Sequence, residues 1–97
     1  MATCTETNKA KKATKELSAQ QTQRYTAFKH AITQHGFTAA LKDMHVETGL
    51  KQPRQGGFFY EVYLFGKTGK PVPPRVWVQA EKNGDAEIQD IADHRGH

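Results

Sequence analysis

Tyr25, Phe28 and Ile32 recur at spacings of three and four, and His35 continues the series. That spacing draws one apolar stripe along a helix. Ser18 and Gln21 form a capping-box pattern at its start, with Leu17 just before the cap where a staple residue belongs. Gly36 stops it, and Phe37 stands ready to touch Ile32 in a Schellman ending. An amphipathic helix is therefore predicted over about residues 18–35.

A second block of apolar residues, Phe58 to Phe65, is dominated by aromatic and β-branched side chains, as strands are. Arg75 to Glu81 alternates in the same way and reads as its partner. The predicted hairpin is about 58–65 paired with 75–82. Between the two lies a connection with Gly66, Gly69, Pro71, Pro73 and Pro74; the prolines cannot donate to a ladder, so it belongs at an edge. Asn83-Gly84 marks a turn suited to type I′ geometry. Beyond it, Ile88, Ile91 and Ala92 share one helical face, with acidic residues before them and His94 and Arg95 after. A brief return strand leading into a short C-terminal helix, stopped at Gly96, is the expectation. Residues 38–48 read as a short helical turn carrying Leu41 and Met44, running into a strand near His45. Gly49 to Gly57, with Pro53 and two adjacent glycines, reads as loop.

These elements define an α+β fold: one amphipathic N-terminal helix on a small antiparallel sheet, with a short C-terminal helix. The element order resembles that of double-stranded RNA-binding domains. Those close with a basic helix, whereas the terminal segment here carries Asp90 and Asp93 and no lysine cluster, and no family is assigned.

Length and charge refine this picture. Ninety-seven residues make one domain. From Met1 to Glu16 the only large apolar residue is Met1, too little to offset ordering entropy. Residues 1–16 are expected to be a basic flexible tail, or in context a helical extension reaching toward Asn8, and 17–97 a single α+β binding domain. The net charge of +4 is uneven: residues 1–24 carry +3, 25–60 carry +2 and 61–97 carry −1. A basic arm favours polyanions, or merely keeps a tail solvated. No stretch approaches the apolar length of a membrane span, and no apolar leader is visible. The single cysteine, Cys4, cannot staple the domain, which fits a reducing, cytoplasmic setting.

Strand alternation assigns the hairpin two faces. Phe58, Tyr60, Val62, Leu64, Val76, Val78 and Ala80 suit the helix stripe. Phe59, Glu61, Tyr63, Phe65, Arg75, Trp77, Gln79 and Glu81 form a mixed aromatic and charged face. Such a face is a second core, a protein-binding or dimer surface, or a stacking platform for unpaired bases. The exposure of Trp77 decides whether the platform exists. The candidate contacts are Phe59, Tyr63, Phe65, Arg75 and Trp77, with Lys67 and Lys70 at the rim.

Catalytic chemistry is not legible. Ser18, the only serine, has a capping role. Cys4 sits in the expected tail. His30 and His35 are on different helix faces, and no zinc-ligand spacing occurs. Gly66-x-x-Gly69-Lys70 precedes a proline and lacks P-loop spacing. The expectation is a non-enzymatic accessory or regulatory protein of the inhibitor or adaptor type, without cofactor or metal, that docks on another protein. A single-stranded nucleic-acid binder using the same rings and basic residues is the alternative, and a homodimer a third.

Overall fold

The computed structural model describes residues 2–67 and 69–93. In chain order the elements are β1 (Cys4–Glu6), α1 (Asn8–Ala13) with a 3-10 turn (Thr14–Glu16), α2 (Ala19–His35), α3 (Phe37–Asp43), β2 (Glu47–Arg54), β3 (Gly57–Tyr63), β4 (Gly66–Lys67), β5 (Lys70–Pro71), β6 (Arg75–Glu81) and β7 (Ala86–Ala92). Five strands form one mixed sheet in the order β1-β7-β6-β3-β2, and β4 and β5 form a small separate hairpin. The fold is α+β, with helices packed on a sheet.

Helix α2 forms as its sequence dictates. Ser18 Oγ accepts from Gln21 N, and Gln21 Oε1 accepts from Ser18 N, completing the capping box. Tyr25, Phe28 and Ile32 are its buried face. Gly36 ends it at φ 89° and ψ 164°. Its φ is positive as expected of a glycine stop, but the ψ is not the αL value of a Schellman ending. It turns the chain directly into α3, whose Phe37 meets Phe28 edge-on at 6.2 Å. Every buried helical residue belongs to one cluster with Val62, Leu64, Val76, Val78 and Ile88. Among the described residues the buried side chains of the helices therefore all pack on one face of the sheet and none on the other.

β3 and β6 pair antiparallel in the predicted register region, from Gly57 opposite Glu81 to Val62 opposite Val76. A Cβ at Gly57 would strike the Ala80 carbonyl, so this close crossing needs glycine.

Four expectations are corrected. Residues 2–16 are not a free tail. β1 runs parallel to β7, with Cys4 opposite Ala86 and Glu6 opposite Ile88, and Ala10 of α1 is fully buried. Polar contacts join the small apolar area of Ala10 in holding this segment. Ala86 N donates to Thr3 O, Thr7 N to Ile88 O, and Thr7 Oγ1 to Gln89 O. Tyr25 Oη and Lys29 Nζ both reach the Glu6 carboxylate, at 2.5 and 3.4 Å. Each such bond contributes about 1 kcal/mol net.

The second correction concerns the C-terminus. The expected return strand forms, but it runs on through Ala92 in place of the helix. Trp77 faces Asp90 and Val78 faces Ile88, so Gln89 is a bulge residue. The bulge turns strand spacing Ala86–Ile88 into Ile88–Ile91, which imitates a helical repeat. The remainder of the expected helix, at His94, Arg95 and Gly96, lies outside the described residues. Third, the expected loop 49–57 is mostly strand. Pro53 sits in edge strand β2, where its missing N–H is tolerated, and an irregularity between Thr48 and Lys51 disguises the alternation. Fourth, the Asn83-Gly84 turn forms, but only Gly84 has positive φ, so it is not type I′.

Candidate docking surface

On the helix-free face, the ring of Phe59 stacks on Trp77 at 5.9 Å with 12° between planes. The Arg54 guanidinium from β2 lies 4.4 Å over Phe59, and Trp77 Nε1 donates to Ala92 O at 3.1 Å. The result is closure: Phe59 is 2% exposed and Trp77 6%. The open aromatic platform that alternation led us to expect is therefore absent at these two residues, which are a small second core. Phe65 is also closed, at 3%, for a different reason. β3 ends at Tyr63, alternation lapses, and Leu64 and Phe65 both join the main core.

Tyr63 and Arg75 remain half-buried beside that pair. The Arg75 guanidinium covers the Tyr63 ring at 4.6 Å, and its Nε lies 3.6 Å from Glu61 Oε2. Arg75 is thus tied within its own face rather than held out toward solvent. Lys67 and Lys70 are exposed on the β4–β5 hairpin, and neither has an acidic partner among the described residues.

The hairpin shapes a second location that sequence reading did not single out. Arg24 of α2 donates from Nε to Leu64 O at 2.7 Å and from Nη2 to Met44 O at 3.2 Å. It joins the end of β3 to the α3–β2 junction and uses only part of its donor fork. Gly69 N donates to Glu47 Oε1 at 2.8 Å, and Val72 N to Phe65 O at 3.1 Å, fixing the hairpin beside it. Two clefts open on either side of Arg24, Gly66 and Lys67. One, about 400 Å³, is lined also by His45, Glu47 and Tyr63. The other, about 550 Å³, is lined also by Ser18, Gln21, Phe65 and Val72. Val72 is 45% exposed and is the one large hydrophobic side chain exposed among the described residues.

The expected contacts thus separate. Tyr63, Phe65 and Lys67 converge on the paired clefts, with Lys70 on the same hairpin; Arg75 adjoins through Tyr63; Phe59 and Trp77 lie apart as the closed ring pair. Arg24 and Val72 were missed. A signal existed for both. Arg24 precedes Phe28 by four residues, placing a cation on the buried side of the helix, and Val72 is an isolated apolar residue between prolines.

Burial pushes the Cys4 thiol up to about 11, away from the thiolate that a nucleophile needs. The Ser18 hydroxyl is committed to its cap. Among the described residues no three His, Cys, Asp or Glu side chains cluster to hold a metal ion, and no helix is long and apolar enough to cross a membrane.

No family model, curated protein or solved structure matches the chain. What fold and surface define is a small α+β module with a one-sided sheet and a cationic, partly apolar double cleft at one end.

Proposed function

We propose that this chain is a small non-enzymatic accessory protein, of the inhibitor or adaptor type, that docks on another protein in the cytoplasm. The contact surface is the double cleft around Arg24, with Tyr63, Lys67 and Val72 as contacts and Lys70 and Arg75 at its margin. The observation that carries this reading is the meeting of a fixed guanidinium, an exposed lysine and an exposed valine on one shaped surface. Mixed surfaces with an Arg and an aromatic anchor are typical of protein interfaces.

Burial of Phe59, Phe65 and Trp77 weighs against the nucleic-acid alternative, because base stacking needs open ring faces. The sheet edges weigh against a dimer by strand addition. β1, the edge strand beside β7, is only three residues long, and β2, the other edge, carries Pro53, Lys51 and an irregular register.

A photo-crosslinking side chain placed at Lys67, and separately at exposed Glu87 of β7, tests the reading in cells. Protein adducts at position 67, largely absent at 87, are expected. Adducts at 67 that nuclease removes, or protein adducts at 87 alone, would overturn it.

A further inference from the structure

The double cleft states a chemical preference for what enters it. Arg24 lines both halves, and its backbone bonds to Leu64 O and Met44 O fix the guanidinium in place. A guanidinium so oriented loses little freedom on meeting a carboxylate. Lys67 also lines both halves, so two cations share the centre. On one side Val72 supplies exposed apolar surface, backed by the buried Phe65. On the other stands Glu47, its Oε1 already accepting from Gly69 N.

We infer that the cleft takes an extended acidic segment of the partner protein, with one carboxylate against Arg24 and Lys67 and a neighbouring apolar side chain against Val72. This rests on the docking reading above and specifies its partner. Charge decides between a peptide and a polyphosphate chain. A nucleic-acid backbone presents a charge at each step and needs a row of cations. Here Arg24 and Lys67 are bordered by the Glu47 carboxylate, which repels a second phosphate, and of the marginal cations Arg75 is already paired with Glu61. An isolated carboxylate next to an apolar group satisfies both halves.

The test is a displayed library of random twelve-residue peptides, selected on the full chain and on the Lys67→Glu and Val72→Asp variants. Both positions are exposed on the hairpin side, and unchanged melting curves verify each fold. Lys67→Gln and Val72→Ser serve as milder replacements if either variant melts early. The full chain is expected to enrich Asp or Glu beside Leu, Ile, Val or Phe. Lys67→Glu weakens a selected synthetic peptide by roughly tenfold, and Val72→Asp by a similar factor. Peptide affinity falls only severalfold between about 50 and 200 mM salt, far less than for a chain of phosphate contacts.

Selection of basic peptides, absence of any shared pattern, or a pattern that both variants retain would overturn the inference. So would tighter binding of a labelled oligothymidine than of the selected peptide. Protein adducts at position 67 without an acidic–apolar pattern would leave the docking role standing and remove only this specificity. Loss of both would remove the role itself.

Discussion

The Phe59 ring lies parallel to the Trp77 indole, 5.9 Å away, on the sheet face that carries no helix. With Arg54 over one ring and the Ala92 carbonyl bonded to the other, the pair is a structural element rather than a landing place. Trp77→Ala is expected to cost about 3–5 kcal/mol, a large share of the stability of a small domain. Urea unfolding measures it. As the single tryptophan, Trp77 also reports its own burial, and acrylamide should quench it weakly in the folded chain and strongly in urea. A near-normal unfolding midpoint for Trp77→Ala would mean that the rings are not packed together.

The N-terminal segment is a second structural commitment. Removing residues 1–16 deletes β1 and α1, uncovers the β7 edge and strips Ala10 from the core. A loss of at least about 3 kcal/mol is expected, from several hydrogen bonds at roughly 1 kcal/mol each. The subtler Thr7→Ala removes the α1 cap bond to Ala10 N and the bond to Gln89 O, for about 1–2 kcal/mol. Hydrogen exchange should show the Thr7 and Ala86 amides protected, since they donate to Ile88 O and Thr3 O. Free exchange at both would return residues 1–16 to a tail.

Alkaline pH should destabilise the fold. Burial raises the Cys4 thiol from 9.0 to about 11. Burial, followed by the hydrogen bond to Glu6, also raises the Tyr25 hydroxyl well above its ordinary value of 10.0. Both groups bind their protons more tightly in the folded chain than in the unfolded one. Stability from them is complete below pH 9 and declines as the unfolded thiol and phenol ionise above it. Unfolding midpoints at pH 8 and 10.5 measure the decline, which Tyr25→Phe should reduce. Thiol alkylation of Cys4 should be correspondingly slow at neutral pH.

Asp85 acts at the other end of the scale. Chiefly the Thr3 backbone N–H, with help from Asn83, holds its carboxyl below the usual range. A lowered folded value contributes stability above the unfolded carboxylate range, and this is lost as pH falls through the folded value. Acid should therefore loosen Thr3 before the sheet opens, visible as a lower protection factor at its amide once the intrinsic pH dependence of exchange is divided out. In Asp85→Asn that amide should respond less to pH between about 5 and 2.

What was legible in the sequence had local causes. Helix α2 carried its own start, stripe and stop in Ser18, Phe28 and Gly36, and β3 and β6 carried aromatic and β-branched residues with a period of two. What escaped had distant or masked causes. The β1–β7 pairing joins Cys4 to Ala86, and nothing in either short stretch names the other. The Gln89 bulge rewrote the β7 period, and Pro53 with Gly49 made edge strand β2 look like loop. Alternation read Phe59 and Trp77 onto one face correctly; it carried no information on whether Arg54 and the sheet's own side chains would close over them. It also failed at Phe65, where the strand had already ended. The double cleft was only partly visible, because Arg24, Glu47 and Val72 come from a helix, an edge strand and a loop that meet only after folding.

The most direct test of docking beside the β4–β5 hairpin is an amide hydrogen-exchange footprint of the chain with and without the partner captured through Lys67. Binding should slow exchange in residues 18–25 and 64–72 and leave 77–80 and 86–92 as they are. Slowing confined to β6 and β7, with the hairpin unaffected, would place the partner on the ring-pair face and contradict the role assigned to the cleft.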